Sequence, residues 1–188
     1  MLTSINLESY RSFQSYDLEG LSRVNLLVGK NNCGKTSMLE AVQLLASKGS
    51  PGVLRNIVGR RGELAESRPV TGASDVSSDS PTVTHLFHGH NFKPGSSFQI
   101  SSTTDGLGVL VRAEPPPKEE QLSYFSREEL RGYSSVLETR LISSRSTATS
   151  VRSMALVDDD GVLLGRTSSR HYLALWGGRS FWTTKCFG

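Results

Sequence analysis

Val24-Asn25-Leu26-Leu27-Val28-Gly29-Lys30-Asn31-Asn32-Cys33-Gly34-Lys35-Thr36-Ser37-Met38-Leu39 is the stretch that decides how the chain is read. Residues 24–28 form a short apolar run with one polar break, the pattern of a strand buried on both faces. Residues 29–36 fit G-x-x-x-x-G-K-[ST] at every fixed position. From Lys35 the pattern turns helical, with Met38, Leu39, Val42, Leu45 and Ala46 at three- and four-residue spacing. Strand, glycine loop and helix in that order predict a phosphate-binding loop. Gly29 and Gly34 let the backbone curl until successive N–H groups converge on phosphate oxygens. The helix start adds its dipole and free N–H groups. Lys35 carries a mobile positive charge to the β- and γ-phosphates, and the Thr36 hydroxyl is placed to hold Mg²⁺.

Upstream, Ile5 and Leu7 alternate with polar residues and predict a strand. Tyr10-Arg11-Ser12-Phe13 reads as the turn after it, and Tyr16-Asp17-Leu18 as the returning strand. Downstream, Gly49-Ser50-Pro51-Gly52 stops the helix. Residues 53–64 are a weaker, basic segment with Arg55, Arg60 and Arg61, and residues 65–82 read as a flexible loop rich in Ser, Pro, Gly and Asp. Strands are predicted at 83–87, 97–101 and 107–111. After Pro115-Pro116-Pro117, residues 118–142 permit a short helix, and residues 143–153 read as a second flexible loop. Leu156-Val157 and Val162-Leu163-Leu164 flank Asp158-Asp159-Asp160-Gly161, which predicts a hairpin with Asp-Gly in its turn.

A length of 188 residues predicts one domain over 1–188. With 36% hydrophobic and 21% charged residues the chain can build a core, with polar stretches around it. No apolar run of membrane-spanning length occurs, and the first residues lack the basic and apolar regions of a secretory signal. Two cysteines, Cys33 and Cys186, are too few for a disulfide framework or a four-cysteine zinc site. The expectation is a cytoplasmic protein with reduced thiols and no membrane partner. A net charge of +3 suits an anionic ligand but does not identify one.

Ile5-Asn6-Leu7-Glu8-Ser9-Tyr10-Arg11-Ser12-Phe13, followed by residues 24–42, resembles the start of an ABC-type ATPase head. The similar families are the RecF/SMC-like and OLD-nuclease-like ATPases, often labelled AAA family ATPases. The specific marks are Arg11 in the turn, the Asn31-Asn32 pair inside the loop and the Leu39-Glu40-Ala41 helix. A looser resemblance covers Thr84-His85-Leu86-Phe87-His88-Gly89-His90 and Gly95-Ser96-Ser97-Phe98, which are similar to a β-rich insertion in some members.

The resemblance implies an α/β fold: a P-loop NTPase head of ABC type, with a core around a mostly parallel sheet and a β-rich lobe. It implies ATP with Mg²⁺ at residues 29–37, contacted by Gly29, Lys30, Asn31, Asn32, Cys33, Gly34, Lys35, Thr36 and Ser37, with Arg11 near the base or phosphates. It further implies a second copy docked through the nucleotide face, and DNA as a partner.

A working head of this kind also needs a signature loop and a Walker B carboxylate pair. Leu156-Val157-Asp158-Asp159 is a weak match to the second, better read as the hairpin, and Leu175-Trp176-Gly177-Gly178-Arg179 lacks the serine of the first. The catalytic base is therefore unassigned. The chain reads as such a head incomplete at its C-terminus, with hydrolysis depending on motifs further on. The alternatives are a catalytically inactive nucleotide-binding or interaction module, or a truncated fragment. A small nucleotide kinase is the third reading, for which Arg60-Arg61 is the sole lid-like pair.

Three weaker features read as ordinary structure. His85, His88 and His90 lack a fourth ligand at metal-binding spacing. Cys33 is a small residue tolerated in the loop rather than a redox thiol. Trp176, Phe181 and Trp182 near Arg179 are core or edge aromatics rather than a base-stacking platform. The Arg/Lys-bearing tail after Asp160 reads as a solvated face or part of an unfinished domain rather than a nucleic-acid contact.

Overall fold

A computed structural model describes residues 2–64, 81–104, 106–115, 134–143, 146–158 and 160–164. Its sequence begins with a hairpin, β1 (Ser4–Tyr10) and β2 (Phe13–Glu19), followed by helices α1 (Lys35–Ala46) and α2 (Pro51–Arg60). Five more strands follow: β3 (Ser97–Ser102), β4 (Leu107–Glu114), β5 (Ser135–Ser143), β6 (Ser146–Val157) and β7 (Leu163–Leu164). They form one seven-stranded sheet in the order β2-β1-β3-β4-β5-β6-β7, and every pairing is antiparallel.

Alternation gives the sheet one apolar face. Ile5, Leu7 and Tyr10 of β1, Phe98 and Ile100 of β3, and Val109 and Val111 of β4 are buried. Asn6 of β1 faces the other way and donates to Asp17 of β2 at 2.6 Å. Helix α1 covers the apolar face with Met38, Ala41, Leu44 and Leu45, and α2 adds Leu54, Ile57 and Val58. Pro51 opens α2 in the first turn, where its missing N–H costs nothing. Between the helices Gly49 takes a left-handed φ of 70° and lies against β4 and β5: a Cβ there would meet Thr139 Cγ2 at 2.7 Å and Val109 Cγ1 at 2.9 Å. Only glycine satisfies both demands.

The expected mostly parallel sheet is not what forms. A parallel pair needs a strand–helix–strand crossover, and residues 24–28, the strand expected before α1, are not a strand. They have no strand partner among the described residues, and Val24, Leu26 and Val28 are 86, 87 and 80% exposed. What the structure describes is the β-rich lobe with two helices on it. The segment 83–87 is a 3-10 turn (Thr84–Leu86) rather than a strand. The basic stretch 53–64 is mostly α2. The expected loop at 143–153 instead lies largely in β6, and the helix permitted at 118–142 gives way to β5 over its described part. The Asp-Gly hairpin forms: Asp158 Oδ1 accepts from the N–H groups of Asp160 and Val162, Gly161 has φ 76°, and β6 and β7 leave it antiparallel. Residues 65–80 and the tail after Leu164, with Cys186 and the aromatic group at 176–182, lie outside the described residues.

Candidate functional site

The glycine loop sits on the N-terminus of α1. Gly34 is the N-cap residue, with φ 89° and no side-chain cap on the helix. The first intrahelical bond runs from Met38 N–H to the Gly34 carbonyl at 2.9 Å, so the N–H groups of Lys35, Thr36 and Ser37 precede the helical ladder. Gly34 is sterically required, since it combines a left-handed φ with a close ring, whereas Gly29 is approached by an exposed thiol. A Cβ on Gly29 would stand 2.7 Å from Cys33 Sγ, and one on Gly34 would stand 2.6 Å from Cζ of Phe13 at the start of β2. Lys35 Nζ crosses the loop and donates to the carbonyls of Gly29 at 2.9 Å and Lys30 at 2.6 Å. Cys33 is exposed, its Sγ 3.6 Å from that ammonium.

Arg11 ties the loop's surroundings together. It occupies the β1–β2 turn with φ 51° and is buried. Its Nη1 and Nη2 donate to Glu63 Oε1 and Oε2 at 2.6 and 3.2 Å. Its Nε lies 2.7 Å from Glu40 Oε2, a close ionic contact rather than an aligned hydrogen bond. Glu40 also accepts from Arg61 Nε at 2.7 Å, and Arg61 Nη2 donates to Ser37 Oγ at 3.1 Å. Two arginines and two carboxylates thus join the turn, α1 and the end of α2. Burial alone would lower the Arg11 pKa. Its hydrogen bonds to Glu63 and the charges around it more than offset that, so the guanidinium is held above its ordinary value. Burial pushes the neighbouring Tyr10 hydroxyl well up, the Arg11 charge opposing.

A third element closes the site. The Arg11 N–H donates to the Leu86 carbonyl at 2.9 Å, and His88 Nδ1 donates to the Arg11 carbonyl at 3.0 Å. Phe87 packs edge-on to Phe98 of β3, with ring centroids 5.3 Å apart, anchoring this segment in the core. A cavity of about 780 Å³ opens between this segment, Arg11 and the glycine loop, lined among others by Asn32, Lys35, Thr36, Arg61, His85 and His90. Five described residues other than glycine have left-handed backbones, and Arg11, Asn32 and His90 among them line this cavity. Such strain persists where the surroundings over-determine it.

Residues 1–92 match the family model described as AAA ATPase domain. Several curated relatives match the same end of the chain. The DNA replication and repair protein RecF of Cellvibrio japonicus is 47% identical over 45 residues, which is 24% of this chain and 12% of that protein. RecF of Gloeobacter violaceus is 46% identical over 55 residues, 29% of this chain and 15% of that protein. An ATP/GTP phosphatase of Helicobacter pylori is 31% identical over 48 residues, 26% of this chain and 13% of that protein. Over residues 1–92 the chain is similar to ABC-type P-loop ATPases. The chain spans well under two thirds of the length of these relatives, as the matched shares of 12–15% show.

The P-loop residues singled out in the sequence, 29–37, are consecutive here, and Asn31, Asn32, Gly34, Lys35, Thr36 and Ser37 line the cavity. Arg11 lines it as well, but with its charge already engaged by two carboxylates. Glu63 escaped sequence reasoning; Glu40 entered it only as a mark of the resemblance, and Arg61 only as half of a lid-like pair in the kinase reading. A signal existed for Glu40: it lies between Met38 and Ala41 on the buried stripe of α1, where a carboxylate demands a cationic partner. Nothing local names that partner. Among the described residues no three His, Cys, Asp or Glu side chains converge as a metal-binding set, and no helix is long and apolar enough to cross a membrane.

Proposed function

We propose that this P-loop ATPase segment binds ATP with Mg²⁺ at residues 29–37. The observation that supports this most is the glycine loop on an uncapped helix N-terminus, with Gly34 sterically enforced, Lys35 spanning the loop and a cavity in front. The residues fit the group. The N–H groups at the start of α1 suit phosphate oxygens, Lys35 supplies a cation, and the Thr36 hydroxyl is the Mg²⁺ ligand this chain offers. Bound Mg²⁺ neutralises charge on the phosphates. Gly29, Lys30, Asn31, Asn32 and Cys33 form the loop's turn, and Ser37 is held by Arg61. Arg11 acts through its contacts, as a positioning residue for the loop and the His85–His90 segment.

A second reading, nucleotide binding without turnover by this chain, is favoured by one observation. Glu63, the carboxylate lining the cavity, and Glu40 behind it are both committed to arginines, so neither serves as a free base. Hydrolysis then depends on a signature loop and a carboxylate pair that residues 29–37 do not contain. From the printed names of the RecF relatives, DNA is the proposed macromolecular partner, and a second copy is proposed at the nucleotide face.

Titration of the 188-residue chain with a fluorescent ATP analogue, with and without Mg²⁺, tests the reading against Lys35→Ala. Saturable, Mg²⁺-sensitive binding that the variant loses is expected. Equal, weak signals from both proteins would overturn it. ATP turnover measured in parallel separates the two readings, since a rate abolished by Lys35→Ala sinks the second.

A further inference from the structure

The cavity is lined by the phosphate loop and also by three imidazoles, His85, His88 and His90. His85 and His90 meet edge to face with ring centroids 4.4 Å apart, and His85 Nδ1 lies 3.3 Å from His90 Nε2. Two imidazole nitrogens at that distance share a single proton in the neutral pair. One ring donates, the other accepts, and a further proton must enter on an outer nitrogen. His90 is exposed and His85 half-buried, so solvent reaches the pair. Its geometry is built rather than incidental. Leu86 and Phe87, between the two histidines, are buried in the core. Arg11 fixes the segment through its own N–H to Leu86 and its Nη1 to the His85 carbonyl at 3.5 Å. Gly89 and His90 are both left-handed, at φ 67° and 56°, which turns the chain back so that His90 reaches His85.

The charges facing this pair can be counted. From the β1–β2 turn comes Arg11, and from the residues after α2 come Arg61 and Glu63. From α1 comes Lys35, with Glu40 behind. Arg11 and Arg61 are balanced by Glu40 and Glu63 within their own network. His88 spends its Nδ1–H on the Arg11 carbonyl. Among the described residues lining the cavity, Lys35 is the cation without a carboxylate partner; Lys30 lies beside it in the loop, outside that lining. A nucleoside triphosphate carries about four negative charges; bound Mg²⁺ would offset two and Lys35 one, and the groups placed to meet what remains near neutral pH are the imidazoles.

We propose that His85 and His90 form a protonatable part of the lining of the nucleotide site, taking one proton from solvent as a polyphosphate enters. This rests on the nucleotide reading above and adds residues that meet the ligand besides the P-loop. Linkage sets the sign: a ligand whose binding takes up a proton binds more tightly as pH falls.

The test uses the full chain, the fluorescent ATP analogue with Mg²⁺, and pH 6 and pH 8. Wild type is compared with His85→Asn/His90→Asn and with Lys35→Ala. The nucleotide's own titration is common to all proteins, so the difference between profiles belongs to the histidines. The expected result is a several-fold larger gain from pH 8 to pH 6 in wild type than in the double variant. Lys35-dependent binding with parallel profiles would overturn this proposal and leave the nucleotide reading standing. Binding that is absent or indifferent to Lys35 at both pH values would overturn both. Calorimetry on wild type in two buffers of different ionisation enthalpy supplies a readout that needs no variant: net proton uptake beyond that of free nucleotide is expected, and none would sink the proposal.

Discussion

β1 and residues 24–28 are alike in letters and opposite in fate. Each offers an alternating or continuous apolar pattern, each lies within the first thirty residues, and each leads into a turn or loop. Yet Leu7 is fully buried between β2 and β3, while Leu26 is 87% exposed. The difference is not hydrophobicity. β1 finds hydrogen-bonding neighbours on both edges and a helix layer over its apolar face; residues 24–28 find neither among the described residues. An apolar run is a request for partners, and burial follows only when pairing supplies them.

That contrast can be broken or sharpened by substitution, with stability read from urea unfolding. The largest effect is expected at the end of β1. Arg11→Ala leaves Glu40 and Glu63 without the cation between them, a loss of about 3–5 kcal/mol for a broken buried pair. A loss within experimental error would mean that the turn does not depend on this network. Next comes Leu7→Ala, expected to cost about 2–5 kcal/mol as a core truncation. Tyr10→Phe is smaller. Its hydroxyl is buried without a hydrogen-bond partner, so removal should shift stability by no more than about 1 kcal/mol at neutral pH. It should matter more in alkali. Burial holds the folded phenol above its unfolded value of about 10, so this tyrosine's contribution is complete below that pH and declines as the unfolded chain ionises above it. Wild type should therefore lose stability beyond about pH 10 more steeply than Tyr10→Phe, and identical slopes would contradict the assignment. The smallest effect belongs to Leu26→Ala, expected within about 0.5 kcal/mol. A cost matching that of Leu7→Ala would show residues 24–28 buried in solution and erase the comparison.

What could be read from the letters follows the same divide between local and distant. The start and end of α1, Lys35 and Ala46, were legible because spacing, the glycine loop before it and Gly49 after it are neighbours in sequence. The β1–β2 hairpin, β3, β4 and the Asp158–Gly161 turn were legible for the same reason. The parallel core was misread because the run at 24–28 says nothing about what lies beside it. β6 was misread because a Ser/Thr/Arg-rich stretch becomes a strand through its pairing with β5, which no local pattern announces. In the site, residues 29–37 were visible as a motif. The network of Arg11, Glu40, Arg61 and Glu63 was not, because its members are brought together by the turn, α1 and the end of α2. His85 and His90 looked ordinary until Gly89 folded one back on the other.

Gly49 gives α1 a mechanical role. The helix has 12 residues, about 18 Å at 1.5 Å per residue. At its far end the chain rests directly on Val109 and Thr139; at its near end stand Lys35 and Thr36. Gly49 is therefore the seat that sets how closely the far end of α1 lies on the sheet: a side chain there would have to push Val109 and Thr139 aside or lift the chain off them.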